Sequence, residues 1–203
     1  AALVVQDGVE SLEDLRGERI ATPSLGNTQD VAARAYLADE GFETDLEGGG
    51  DISIVPTDNP VTVNEFRDGN LAGAWVPEPW ASILVAEGGS KLVDESEVWP
   101  ETGGQFVTTH LLVNAEFLAD HPDLVRAVLE ATVQANAFIS DEPDEARDVV
   151  GARVTELTDA PLDPEVLAEA WGNLTFTNDP IPASLEEDAT DAAGVELLEG
   201  LDD

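Results

Sequence analysis

Apolar positions come in short blocks whose spacing switches between strand and helix. Leu3-Val4-Val5 reads as a strand, and Ser11-Leu12-Glu13-Asp14 opens a brief helix that stops at Gly17. Ile20-Ala21-Thr22 is a second strand, which Pro23 ends. Ser24, Leu25 and Gly26 then form a small-residue turn into a helix capped by Asn27, where Val31, Ala32, Ala35 and Tyr36 recur at helical spacing. Asp30, three residues after the cap, has the position from which an acidic side chain reaches back to it. Ile52, Ile54 and Val55 make the next strand, Asp58-Asn59-Pro60 starts a helix closing near Gly69, and Leu71 to Val76 is again a strand. A helix over Trp80–Glu87 and a strand at Lys91-Leu92-Val93 complete the alternation. Strand alternating with helix predicts a mostly parallel sheet covered by helices on its faces.

The rhythm changes at Gly103. Gln105 to Val113 predicts the longest strand of the chain, followed by a helix from Asn114. Pro122 opens a long helix to about Ser140, in which Leu124, Val125, Val128, Leu129, Ala131, Ala135 and Ile139 form a wide apolar stripe. Pro143 and Pro164 start two more helices, Thr175-Phe176-Thr177 reads as a short extended piece, and a last helix is expected over Ala189–Leu198. The first 113 residues thus read as a complete α/β lobe, and the remainder as helices without a sheet of their own.

Charge removes several classes of function. Against 44 acidic residues stand 8 basic ones, a formal charge of −36. Nucleic acid and anionic membrane surfaces would need the opposite balance. With 42% hydrophobic residues a packed core is affordable, so the acidity reads as a solvated shell, of the kind suited to high salt. Cysteine is absent, which excludes disulfides and thiol chemistry; methionine is absent too, as expected of a processed or cropped piece of a longer product. No apolar run reaches the length of a membrane-spanning helix.

Candidate chemistry is concentrated in two turns. A strand passing through small residues into a helix start, as from Ser24 to Asp30, leaves backbone N–H groups pointing outward, which attract anions; the alternative is a capped helix with no ligand. In Gly73-Ala74-Trp75-Val76-Pro77-Glu78-Pro79-Trp80 two prolines stiffen the exit of a strand and would fix Glu78 and Trp80 at the same sheet edge. The alternative is that Trp75 and Trp80 pack and Glu78 caps the following helix. Thr108 and Thr109 offer hydroxyls from the predicted long strand. With only His110 and His121, and no zinc, phosphate-loop or nucleophile motif, neither a catalytic residue nor a metal or cofactor site is read.

TPSLGNTQDVAARAYL, GAWVPEPWASILV, VWPETGGQFVTTHLLVNAEFLADHPDLVRA and FTNDP, in this order, resemble the solute-binding proteins of ABC importers for aliphatic sulfonates, nitrate and taurine, the sulfonate branch above all. The resemblance implies the α/β periplasmic-binding-protein type II fold, with residues 1–113 the second lobe and 114–203 the C-terminal helical part of the first. The N-terminal half of that lobe, with its signal sequence, is then expected to precede Ala1. It further implies an extracytoplasmic, monomeric receptor for a small anion that hands its cargo to ABC permease subunits. In such a receptor Ser24, Gly26, Asn27, Thr28 and Gln29 form the anion turn, Glu78 and Trp80 the cleft rim, and Thr108 and Thr109 the strand near the hinge. Ala72, where many relatives have Asp, is a departure; Gln29, where the nitrate branch tends to have His, favours sulfonate. Pyrimidine-precursor synthases share the fold and are the enzyme alternative, but they consume a histidine and use iron, and neither His110 nor His121 has the surroundings for that.

Overall fold

A computed structural model of the chain describes residues 1–199. They form two units, 1–106 together with 181–199, and 107–180.

The first unit is built on five short strands: β1 (Ala2–Val5), β2 (Arg19–Thr22), β3 (Ser53–Pro56), β4 (Gly73–Val76) and β5 (Ser90–Asp94). They lie in the order β3-β2-β4-β1-β5. β2 runs parallel to both β3 and β4, while β1 is antiparallel to β4 and β5. The expected parallel sheet is therefore interrupted by one reversed strand. The register supplies the reason: Val5, where β1 ends, and Ile20, near the start of β2, both pair with Gly73. A reversed β1 thus delivers the chain to the edge where β2 begins, and no long crossover is needed.

Alternation along the strands supplies two cores. Leu3, Val5, Ile20, Ile54 and Trp75 face one side, packed with Leu37 of α1 (Thr28–Asp39). Ala2, Val4, Ala21, Ala74 and Val76 face the other, against α2 (Asn59–Arg67) and α3 (Trp80–Ala86). With both faces covered, β1 and β4 (ALVV and GAWV) carry no charged residue, as buried strands require.

The second unit holds α4 (Ala115–Asp120), α5 (Pro122–Asp141), α6 (Pro143–Thr158) and α7 (Pro164–Gly172). Three of these begin with proline, as expected; the missing N–H costs nothing in a first turn. Gln105–Val113 is not a strand but irregular chain, and Thr175-Phe176-Thr177 is irregular as well. A strand exists only where a neighbour completes its ladder, and the sheet of the first unit is closed at β3 and β5 without this segment. Among the described residues of the second unit only Ala146 and Ala170 are buried. The stripe predicted on α5 stands in solvent: Leu124 is 57% and Val128 49% exposed. These helices therefore have their apolar faces without the sheet that such faces normally cover.

The last helix, α8 (Pro182–Gly194), starts seven residues before its expected position, because Pro182 opens it. It returns to the first unit and packs on α1, burying Ser184 and Ala192. α1 is thus covered on two sides, which explains why Gln29 to Arg34 are all buried. The α1–α8 seam is acidic. Burial, then Glu187, Asp39 and Asp188, hold the Asp191 carboxyl at about 6, and burial with Glu95 raises Asp188. A carboxyl raised on folding contributes stability at low pH and loses it as the pH rises through about 6. Asp191→Asn is therefore expected to raise the melting temperature at pH 8 and to leave it unchanged near pH 4. Because the group is only half-buried, the rise is about 1–3 °C. Differential scanning calorimetry at the two pH values checks this, and a variant that melts lower at pH 8 contradicts it.

Candidate functional site

The turn between β2 and α1 is shaped by a buried carboxylate. Gly26 has φ +72°, a conformation open to glycine at little cost. Asn27 caps α1, its side-chain oxygen accepting the Asp30 N–H at 2.9 Å. Asp30 reaches back as the spacing predicts, but one residue further: its Oδ2 accepts the Gly26 N–H at 2.9 Å. The same carboxylate accepts the Thr22 hydroxyl at 2.6 Å and Arg34 Nε at 3.0 Å. Arg34 is anchored in turn, donating from Nη1 to the Asp45 carbonyl at 2.8 Å. The Asp30 and Arg34 side chains are 0% and 1% exposed.

This network consumes part of what the sequence offers to an anion. The Gly26 amide is taken by Asp30 and the Asn27 amide by the Ser24 carbonyl. Thr28 N–H and Gln29 N–H have no partner among the described residues. A third donor stands beside them. Gln29 is 2% exposed, its Oε1 accepts Asn27 Nδ2 at 3.0 Å, and its Nε2 is buried with no partner among the described residues. A buried amide nitrogen without an acceptor costs about 1–3 kcal/mol. Ser24 and Gly26 are exposed beside this group, and Leu197 borders the turn, its Cδ2 lying 3.8 Å from where a Gly26 side chain would begin.

The second turn shares the same sheet edge. β2 and β4 are parallel neighbours, so the chain leaves both at one side. Glu78 Oε2 accepts the Ser82 N–H at 3.1 Å and so caps α3. Trp80 is half-buried against the α2/α3 core, and Trp75 is fully buried. Thr108 and Thr109 belong to the second unit, exposed in irregular chain. The structure thus brings Ser24, Gly26, Asn27, Thr28 and Gln29 together, with Glu78 and Trp80 along the same edge. A groove of about 600 Å³ lies elsewhere in the first unit, between Arg34, Phe42, Asp45 and Glu196, and none of the turn residues lines it. Among the described residues no cluster of His, Asp or Glu is arranged to hold a metal, and no helix is long and apolar enough to cross a membrane.

Sequence reasoning missed the role of Arg34. The signal was present as Asp30 and Arg34 at i,i+4 on a helix, but exposed pairs at that spacing are commonplace, and only burial distinguishes this one.

Residues 2–154 match the model of the NMT1-like family. The chain belongs to that family. It is 28% identical over 143 residues to the taurine-binding periplasmic protein of Escherichia coli, covering 70% of this chain and 42% of that protein. A putative binding protein of Brucella abortus is 23% identical over 165 residues, with 80% of this chain and 49% of the relative covered. The chain therefore spans about half the length of these relatives or less. The solved alkanesulfonate-binding protein SsuA of Xanthomonas axonopodis pv. citri, bound to MOPS, superposes with a TM-score of 0.73 at 16% identity, covering 98% of this chain and 65% of that one. That match establishes the fold: this NMT1-like chain has the α/β architecture of a periplasmic binding protein, over part of that protein's length.

Proposed function

We propose that the chain is part of an extracytoplasmic receptor that captures a small organic anion, an aliphatic sulfonate, and delivers it to the permease subunits of an ABC importer. The observation that carries this reading is a set of donors at the start of α1 that have no partner among the described residues: Thr28 N–H, Gln29 N–H and the buried Gln29 Nε2. Donors without partners at a helix N-terminus suit the oxygens of a sulfonate. The names of the E. coli and Xanthomonas proteins point to the same class of solute. In this reading residues 1–113 form the second lobe and 114–203 the C-terminal part of the first, and Ser24, Gly26, Asn27, Thr28, Gln29, Glu78, Trp80, Thr108 and Thr109 line the cleft. The exposed apolar faces of α4–α7 then await the sheet of their own lobe, and the receptor works as a monomer.

The magnitudes agree with a shared site. A helix terminus contributes about 0.3–2 kcal/mol toward an anion, whereas micromolar affinity needs about 8 kcal/mol. Most of the binding energy must come from a second wall closing on the ligand. Calorimetry on the protein as its gene encodes it, with alkanesulfonates, taurine and nitrate, is expected to give micromolar dissociation constants for a sulfonate and weaker binding of nitrate. No heat with any of them overturns the reading.

A further inference from the structure

We propose that Arg34 sets the sign of the charge an anion meets at the α1 mouth, without touching the ligand; this rests on the receptor reading above. Asp30 places a carboxylate directly behind the turn, one hydrogen bond from the Gly26 amide. A helix terminus is equivalent to about half a positive charge, so a whole negative charge in the same turn would outweigh it. Arg34 prevents this, because its Nε meets Asp30 Oδ2 at 3.0 Å. Water screens the pair little, since both side chains are almost completely buried, whereas the other ion pairs among the described residues, such as Arg16 with Glu13 and Arg153 with Glu156, are open to solvent. In a chain of charge −36 with 8 cations, the one cation among the described residues that is fully buried stands behind the anion turn. The pair also divides labour. Asp30 fixes the turn by holding Gly26 and Thr22, and Arg34 removes the electrostatic penalty of having a carboxylate do so.

This makes Arg34 a positioning residue with a testable signature. Titration calorimetry with ethanesulfonate compares the encoded protein with Asp30→Asn, Arg34→Gln and the double variant, and thermal melts run alongside. Asp30→Asn leaves Arg34 unopposed and is expected to tighten ethanesulfonate binding about tenfold while lowering the melting temperature. Arg34→Gln is expected to weaken binding more than tenfold, and the double variant to return within about threefold of the parent. A pair that merely holds the fold together would give weaker binding with Asp30→Asn, in step with the lost stability. That result, or an unchanged affinity, overturns the proposal. Where Arg34→Gln yields no folded protein, Asp30→Asn and the double variant decide the matter alone. If the parent protein binds no sulfonate, the receptor reading fails and this inference falls with it; if the parent binds and Asp30→Asn does not tighten, only this inference fails.

Discussion

Replacing Trp75 by alanine is expected to destabilise the first unit by about 3–5 kcal/mol. The indole is 0% exposed in β4, and β4 lies in the middle of the sheet with β2 on one side and β1 on the other. Its ring meets Tyr36 of α1 at 5.6 Å between centroids, so its removal opens the sheet–helix core. It also takes a hydrogen bond from a buried carboxylate. Trp75 Nε1 donates to Glu95 Oε2 at 2.7 Å, and Glu95 is 3% exposed, with burial pushing its carboxyl above the usual range. Trp75→Phe keeps most of the ring and loses the donor, so it should cost about 1.5–3 kcal/mol, the worth of one hydrogen bond to a charged group. Urea titrations followed by circular dichroism give both numbers. A Trp75→Phe variant as stable as the parent would show that the hydrogen bond to Glu95 contributes nothing.

Salt is expected to have an effect of comparable size. The formal charge of −36 is spread over a shell in which few carboxylates have partners, and the seam between α1 and α8 gathers Asp39, Glu187, Asp188 and Asp191. Raising KCl from about 0.1 M to about 1 M shortens the Debye length from ~10 Å to ~3 Å, which removes most of the repulsion between neighbouring exposed charges. The melting temperature is expected to rise by about 10 °C over that range. Hydrogen exchange should show α8 gaining protection before the strands do, because its packing on α1 is where the carboxylates are both crowded and half-buried. A melting temperature that is flat or falls with KCl would refute the reading of the acidic surface as an adaptation to high salt.

Local signals carried the elements of both units well. Asn27 as cap, Pro60, Pro122, Pro143 and Pro164 as helix starts, and the five strands all follow from chemistry within a few residues of each position. What was illegible depends on partners distant in sequence. Gln105–Val113 has the composition of a strand, but no neighbour among the described residues completes its ladder, so it remains irregular. The reversal of β1 follows from where its end must lie beside Gly73, which periodicity does not encode. The spacing of Asp30 predicts a capping residue, yet what it holds is Gly26, Thr22 and Arg34. Glu95 is one acidic residue among 44, and nothing local distinguishes it; what does is the hydrogen bond from Trp75. In a sequence so rich in carboxylates, burial alone separates those that organise the fold from those that merely hydrate it.

The two outer strands of the sheet acquire importance once salt has screened the surface. At low ionic strength repulsion keeps copies apart; at high ionic strength an unpaired strand edge is free to recruit another. β3 is four residues long and ends in Pro56, which has no N–H to offer a newcomer. β5 displays Lys91 paired with Asp94, a polar rail along the opposite margin, and its register against β1 is broken by an irregularity between Leu3 and Val4. Salt weakens that ion pair, but the missing N–H of Pro56 and the irregular β1–β5 register lie in the backbone, where added electrolyte cannot switch them off.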